Sequence, residues 1–211
     1  MKKLFLFLLT AVAITACQKE PNLSDLDDDY VVFTDYDRLA DFGTFTTFYM
    51  PDSILLITEK QEATYWTNSE AKYILEALEE NMTGRGYTRI EEKGTADMGL
   101  QISYIENTNY LVNYVNNYWW YGYPGYWGPG YWGPGWTGGW YYPYPVVYSY
   151  SIGSFLIELI DLTDADNSRR LRIVWDSYMA GYLSGSSRVN RDLAIQAVDQ
   201  AFVQSPYLTR Q

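Results

Sequence analysis

The sequence has 211 residues and a formal net charge of −11, from 15 basic and 26 acidic side chains. Because so negative a field repels polyanions, the composition excludes a nucleic-acid partner. The chain has no histidine and a single cysteine, which excludes Ser-His-Asp and Cys-His triads, histidine metal sites, disulfides and thiolate zinc sites, so we expect no metal and no cofactor.

The first sixteen residues are typical of a short lipoprotein signal peptide. Lys2 and Lys3 precede an apolar run at residues 4–12, and residues 14–16 form a cleavage zone before Cys17. This order predicts cleavage directly before Cys17. The apolar run is far shorter than the roughly 20 residues that span a bilayer, so we expect the membrane to be a partner only through acyl chains attached to Cys17.

The residues around the cleavage point also resemble the bacterial lipobox, here Ile14-Thr15-Ala16-Cys17. In Gram-negative lipoproteins of this kind, Asp directly after the cysteine often signals retention in the inner membrane. This chain has Gln18 instead, so the resemblance implies the outer membrane and leaves the leaflet open. Residues 17–29 are predicted to be the lipidated cysteine and a polar, acidic tether.

Residues 30–211 are predicted to form one domain that begins with strands and a clear helix. Aromatic and β-branched residues predict strands at 30–34 and 42–50, and further strands are expected near 87–92 and at 100–105. Thr67-Asn68-Ser69-Glu70 matches a capping box, so a helix is expected to begin there and to end at Gly84 or Gly86. Its predicted buried stripe is Ala71, Ile74, Leu75, Leu78 and Met82.

The C-terminal part of the domain predicts a hairpin and a second helix. The strands of the hairpin are expected at 152–161 and 171–178, with a turn at 164–168. A last helix is expected at 188–203, ending before Pro206. The resulting order predicts an α+β two-layer sandwich, a mainly antiparallel sheet with two helices packed on one face. The residues expected to be buried in the last helix are Val189, Leu193, Ala197, Val198, Ala201 and Phe202.

An aromatic tract at residues 118–150 differs in composition from the rest of the chain, and a low-complexity insert is expected at about 113–147. The unit Gly-Tyr-Trp-Gly-Pro occurs at 125–129 and again at 130–134. Three interpretations stay open: a loop whose rings pack on the sheet, a binding surface, or self-association and contact with lipid headgroups. The candidate aromatic binding surface consists of Trp119, Trp120, Trp127, Trp132, Trp136 and Trp140.

Without histidine, catalysis would depend on paired carboxylates or on a Ser/Lys arrangement, and no spacing marks a general acid and base. Asp97, Asp161 and Asp176 lie at or inside predicted strands. For each of them, a cap at a strand end or a solvent-facing position is favoured over a catalytic role. The sequence therefore predicts no catalytic residue.

Several motifs occur in order along the domain. They include Thr34-Asp35-Tyr36-Asp37, Ala40-Asp41-Phe42, Thr46-Thr47-Phe48, Thr95-Ala96-Asp97, Leu159-Ile160-Asp161, Leu171-Arg172-Ile173-Val174-Trp175, and Ala201-Phe202 leading into Ser205-Pro206-Tyr207-Leu208. Together they resemble an uncharacterised bacterial lipoprotein family, domain of unknown function 4136, in a Bacteroidetes-type form with a Gly/Tyr/Trp-rich insert. The family usually has Trp-Arg-Gly where this chain has Trp175-Asp176-Ser177. The resemblance implies an envelope lipoprotein with an α+β domain and supplies no catalytic residues.

These observations favour a non-enzymatic lipoprotein of the cell envelope, anchored in the outer membrane and in contact with an envelope protein or glycan. A second hypothesis is a histidine-free hydrolase of glycans that uses two carboxylates. A third is a structural envelope protein that associates with itself through the aromatic tract. Two buried acids in a cleft would favour the hydrolase.

Overall fold

The computed structural model describes residues 30–58, 63–106, 140–145, 153–163, 171–181 and 187–210. They form nine strands, two α-helices and two 3-10 turns. The strands are β1 (Tyr30–Tyr36), β2 (Thr47–Tyr49), β3 (Ile54–Ile57), β4 (Thr64–Trp66), β5 (Thr88–Arg89), β6 (Met98–Ile105), β7 (Trp140–Tyr141), β8 (Ser154–Asp161) and β9 (Leu171–Gly181). The helices are α1 (Ser69–Gly84) and α2 (Ser187–Val203), and the 3-10 turns are Phe42–Thr44 and Lys93–Thr95.

All nine strands belong to one open mixed sheet whose longest pairings are antiparallel. The main order is β1-β9-β8-β6-β2-β5, with β3 beside β6, β4 beside β3 and β7 beside β9. The pairings β1-β9, β9-β8 and β8-β6 are antiparallel, whereas β2 and β3 pair in parallel with β6. Both helices contribute to one apolar cluster on one face of the sheet. The predicted α+β two-layer sandwich is confirmed.

The segment after β1 differs from its prediction. The expected strand at 42–50 is a 3-10 turn followed by the short strand β2. The turn forms because the side chain of Asp41 accepts a hydrogen bond from the backbone N–H of Gly43, which draws the chain into a tight bend. The hairpin of β3 and β4 was not predicted, and the expected strand near 87–92 shortens to the two residues of β5.

Helix α1 begins one residue later than the capping box predicts. The cap is Asn68, whose side-chain oxygen accepts a hydrogen bond of 3.1 Å from the backbone N–H of Ala71. Glu70 accepts from the hydroxyl of Ser69, so the reciprocal bond of a capping box is absent at this described helix end. The helix ends at Gly84, and Gly86 adopts a φ of 90°, which a side chain would disfavour. The predicted stripe of α1 is buried throughout.

Helix α2 supplies the second part of the core. Ala197, Val198, Ala201 and Phe202 are buried as predicted, whereas Leu193 is half-buried. The side chain of Val189 lies outside the described part of the structure. No helix in the described ranges is both long and apolar enough to cross a membrane.

The face of the sheet opposite the helices is also buried in its centre. Leu156 and Ile160 of β8 and Tyr178 of β9 belong to a second apolar cluster, to which Trp140 also belongs. Successive residues of β8 point to opposite faces of the sheet. Because both faces are covered, seven consecutive residues of this strand, 154–160, are buried. Trp140 of the aromatic tract therefore packs on the sheet.

Candidate functional site: an acidic row beneath the aromatic tract

Four polar side chains stand side by side across the middle of the sheet. The register pairs Asp35 of β1 with Asp176 of β9, Asp176 with Glu158 of β8, and Glu158 with Gln101 of β6. Side chains at paired positions project from the same face, with β-carbons about 5 Å apart. Gln101 alternates along β6 with Leu100 and Ile102, which pack on the helix side. These four residues, called here the acidic row, therefore lie on the face away from the helices.

The centre of the acidic row is fully buried. Glu158 and Asp176 have 0% of their surface exposed, and Gln101 has 1%. Ionised carboxylates accept hydrogen bonds but donate none, so burial at this position requires donors from elsewhere. Tyr142 and Tyr144 of the aromatic tract supply such donors.

Two tyrosines of the tract supply hydrogen bonds to the row. Tyr142 donates its hydroxyl to Glu158, and Tyr144 donates to Oδ1 of Asp176 at 2.8 Å. The two rings are 5.6 Å apart in an edge-to-face arrangement, and Trp140 packs edge-to-face on Tyr142 at 5.9 Å. Residues 140–144, called here the anchoring segment, are thus fastened to the sheet by polar and aromatic contacts.

Pairing with β9 places three rings of the tract on the same surface. Trp140 and Tyr141 form β7, which pairs in parallel with the start of β9 at Leu171 and Arg172. Trp140 belongs to the second apolar cluster, and Tyr142 and Tyr144 pack against that cluster, so the three rings lie on one face of the sheet. The anchoring segment lies along β9 and brings its hydroxyls over the carboxylates.

The environment of Tyr144 keeps its hydroxyl protonated. Burial raises its pKa well above the ordinary value of 10.0, and the negative charge of Asp176 and the hydrogen bond to it raise the pKa further. The charges of Asp35 and Glu158 act in the same direction. Tyr144 is therefore a donor at every physiological pH, and the acidic row keeps this partner.

The contacts of the acidic row favour a structural role over a catalytic one. Glu158 and Asp176 are the two buried carboxylates of the row, and each has a tyrosine hydroxyl in hydrogen-bond contact. Within the described residues, no group of three or more His, Cys, Asp or Glu side chains is placed to hold a metal ion. The row and the anchoring segment form a polar contact inside an apolar layer.

The residues that sequence reasoning assigned to the site have different outcomes. Trp140 is only 4% exposed, because it packs in the second apolar cluster. Trp140 is therefore not a ring of an exposed surface, and Tyr142 and Tyr144 of the predicted insert pack against the same cluster. The remaining predicted tryptophans and the cysteine predicted to carry lipid lie outside the described residues: Trp119, Trp120, Trp127, Trp132, Trp136 and Cys17.

The three aspartates noted in the sequence have different positions. Asp97 and Asp161 lie at strand ends, and Asp176 is a buried member of the acidic row. Asp97 accepts hydrogen bonds from the backbone N–H groups of Thr46 and Thr47, and Asp161 accepts from Thr163. Asp97 joins the start of β6 to the start of β2, and Asp161 binds the turn after β8, so both have structural roles at strand ends as the sequence favours. Asp176 is neither a cap nor exposed, so that interpretation is wrong for this residue. Its place is the middle position of Trp175-Asp176-Ser177, the departure from the usual family motif.

Sequence reasoning missed Tyr142, Tyr144 and Glu158 as parts of this site. The available signal was the alternation of Trp140, Tyr142 and Tyr144, which is typical of a strand with one buried face. The composition of the tract obscured this short pattern among many other rings. Glu158 carried a weaker signal, a single charged residue inside an otherwise apolar strand.

The family motifs meet at the edges of the core and stabilise the fold. Asp37 forms an ion pair with Arg172, with Nε to Oδ2 at 2.7 Å, and also accepts from the backbone of Leu39. The indole N–H of Trp175 donates to the hydroxyl of Ser205 at 2.9 Å, and both residues are fully buried. The first contact joins β9 to the segment that follows β1, and the second joins β9 to the segment that follows α2. The motifs therefore hold these segments against the sheet.

Comparison with known proteins agrees with these motifs. The family model described as Domain of unknown function (DUF4136) matches residues 32–207. A crystal structure of a DUF4136 family protein from Bacteroides thetaiotaomicron is 49% identical, with a TM-score of 0.80. It covers 88% of this chain, and this chain covers 100% of it. Among curated proteins, no match is found.

Two further solved structures are more distant. PelC from Paraburkholderia phytofirmans, solved as a dodecamer, is 16% identical with a TM-score of 0.39 and covers 86% of this chain and 99% of its own. A PDZ domain protein from Parabacteroides distasonis is 19% identical with a TM-score of 0.43, over 85% of this chain and 37% of its own. Both TM-scores are too low to carry a structural argument. The family match and the 49% identical structure show that the chain belongs to the DUF4136 family.

Proposed function

We propose that this chain is a lipoprotein attached to the outer membrane through lipid on Cys17, whose domain binds another component of the cell envelope without catalysing a reaction. The order of Lys2, Lys3, the apolar run and Cys17 supports the anchor. Two or more acyl chains hold a protein durably on a membrane where one chain does not. The aromatic tract is the part of the chain that meets the partner.

The anchor is tested by labelling cells with a palmitate analogue and separating their membranes. The chain should carry the label and sediment with the outer membrane, whereas Cys17→Ser should lose both properties. A matched variant, Gln18→Asp, should keep the label and move to the inner membrane, because Asp after the cysteine is the retention signal implied by the lipobox. Label retained by Cys17→Ser would overturn the anchor.

One observation carries the non-catalytic part of the proposal: the hydrogen bonds that Tyr142 and Tyr144 donate to the two buried carboxylates. A general acid or nucleophile must reach its substrate, and these carboxylates are fully buried under the rings of the anchoring segment. The same contacts hold the end of the tract at a fixed place on the sheet, which supports a role in presenting the tract to a partner.

The binding role is tested by titrating tryptophan fluorescence with peptidoglycan fragments and a panel of glycans. The tract holds six of the eight tryptophans, so stacking on a ligand there should dominate the change in signal. The matched variant replaces residues 118–139 by a short linker and keeps the anchoring segment. A saturable change that this variant loses identifies a glycan partner, and a flat response directs the search to proteins.

A second candidate function, a carboxylate glycan hydrolase, is favoured by the position of Glu158 directly opposite Asp176. Glycosidases use two carboxyl groups about 5–10 Å apart. The test is the release of reducing ends from the same glycan panel during prolonged incubation. Release that Glu158→Gln removes and that the exposed control Glu76→Gln keeps would establish the hydrolase, and no release agrees with the non-catalytic proposal.

A further inference from the structure

A concave site lies on the helix side of the sheet, away from the anchoring segment. It is a surface cavity of about 550 Å³ between the first 3-10 turn and the C-terminal residues that follow α2. Its volume lies within the range of roughly 300–1,000 Å³ that small-molecule sites occupy. The residues that matter for its chemistry are Tyr36, Asp41, Phe42, Thr44, Tyr207 and Thr209.

One wall of this cavity is a preformed cluster of three rings. Tyr36 and Tyr207 are stacked with their centroids 3.7 Å apart and their planes at 23°. Phe42 lies 5.8 Å from Tyr207 and 6.3 Å from Tyr36, tilted against both. Because each ring packs on the other two and Phe42 is buried, a ligand meets this apolar wall without having to order it.

The rest of the lining offers hydrogen-bond acceptors. Asp41 is exposed, its Oδ1 accepts from the backbone of Gly43 at 3.1 Å, and its Oδ2 has no hydrogen bond within the described structure. The hydroxyl of Thr44 donates to the carbonyl of Asp41 at 2.7 Å, and that of Thr209 donates to the carbonyl of Arg85 at 3.4 Å. Both hydroxyls therefore keep lone pairs that can accept.

The charge of the lining restricts the ligand further. Among the described residues that line the cavity, none is Lys or Arg, and the one charged group is the carboxylate of Asp41. An anionic ligand would meet like charge there without a compensating cation. The site therefore fits a molecule that donates several hydrogen bonds, presents an apolar face to the rings and carries no negative charge.

We propose that this cavity binds one ring of a neutral sugar. A pyranose ring carries hydroxyl donors at its edge and a face of C–H groups, which matches the carboxylate and the ring cluster respectively. The inference goes beyond the proposed function, since the cavity lies on the face of the sheet opposite to the anchoring segment and its described lining residues do not belong to the tract. It assigns the chain a sugar site that does not depend on residues 118–139.

The experiment measures sugar binding to the full chain by ligand-observed NMR, in a detergent without a sugar headgroup. The probes are glucose, N-acetylglucosamine, glucuronate and tetramethylammonium. We expect saturable binding of a neutral sugar and weaker binding of glucuronate. Asp41→Ala should weaken the binding of the neutral sugar about tenfold, because a hydrogen bond to a charged group is lost. Thr44→Trp should abolish binding by filling the cavity.

Two matched controls separate this site from others. Thr83→Trp, at an exposed threonine of α1, should bind as the unaltered chain does, and so should the variant with residues 118–139 replaced. Sugar binding that disappears with the tract and persists in Thr44→Trp overturns the cavity while leaving the proposed function intact. Absence of saturable sugar binding, or binding of tetramethylammonium alone, also overturns it. Thermal unfolding checks that each variant folds, and if Asp41→Ala does not fold, Thr44→Trp decides.

Discussion

Glu158 and Asp176 lie directly opposite each other on neighbouring strands, and each accepts a hydrogen bond from a tyrosine of the anchoring segment. Two acidic side chains at facing positions of a sheet repel each other and destabilise the pairing of their strands. Donors from Tyr142 and Tyr144 offset this cost by supplying the hydrogen bonds that burial removes from water. The sheet and the end of the aromatic tract therefore depend on each other.

Removing one of these donors should destabilise the domain. We expect Tyr144→Phe to lower the free energy of unfolding by about 1–3 kcal/mol, because it deprives a buried carboxylate of a hydrogen bond. Urea denaturation measures the change. The control is Tyr73→Phe on α1, where the ring is 47% exposed and the loss should stay within about 0.5 kcal/mol. Equal stability of the two variants would show that the hydrogen bond contributes nothing.

High pH should lower the free energy of unfolding of the domain, because it deprotonates Tyr144. The pKa of Tyr144 is raised in the folded state above 10.0, its ordinary value in the unfolded chain. Its contribution is therefore fully present below about pH 10 and is lost as the pH rises toward the folded value. The free energy of unfolding, measured from about pH 8 to about pH 11, should fall less steeply in Tyr144→Phe. Parallel curves for the variant and the unaltered chain would contradict the prediction.

The ion pair of Asp37 and Arg172 should be a strong stabilising contact. Asp37 is buried, and its loss leaves the guanidinium of Arg172 without its closest partner and the backbone N–H of Leu39 without an acceptor. We expect Asp37→Ala to cost about 2–4 kcal/mol, somewhat below a fully buried pair because Arg172 is 29% exposed.

The matched control for this ion pair is an exposed one. Lys72 and Glu76 form an ion pair across one turn of α1, with 75% and 48% of their side chains exposed. Glu76→Ala should cost less than about 0.5 kcal/mol. Thermal unfolding of both variants measures the difference. If Asp37→Ala loses no more free energy of unfolding than Glu76→Ala, the buried ion pair does not stabilise the domain.

The sequence pattern and the structure place the N-cap of α1 at different residues, and mutation can distinguish the two positions. Asn68 caps the helix, whereas the capping-box pattern points to Thr67. Asn68→Ala should therefore lower the free energy of unfolding by about 1 kcal/mol, and Thr67→Ala by a few tenths. Denaturation of the two variants in parallel decides between the positions, and the reverse order of losses would place the cap at Thr67.

The regular elements of this fold could be predicted because their signals are local. The buried stripe of α1 and the alternation along β6 place their residues on one face without knowledge of the partner strand. The motifs that resemble the family lie outside these two elements, at the ends of other strands and of α2 and in turns, and the family assignment is confirmed. Short strands such as β2 and β5 carry too few residues for a period to be visible.

The acidic row could not be predicted because it depends on register. Glu158 and Tyr142 are sixteen residues apart, and Asp176 and Tyr144 are thirty-two apart. Whether they meet is decided by which residues of β8 and β9 face each other, and a shift of one residue would move every side chain to the other face. Composition drew attention to the tryptophans of the tract, whereas tyrosines make the polar contacts that hold its end.

Cross-linking in intact cells tests whether the aromatic tract contacts another component of the envelope. A photoreactive residue in place of Trp127 probes the tract, and one in place of the exposed Tyr73 on α1 is the control. We expect irradiation to give an adduct larger than the chain from position 127 and none from position 73. Identical products from both positions, or none from position 127, would show that the tract has no specific partner. An adduct of twice the mass of the chain would identify a second copy as the partner.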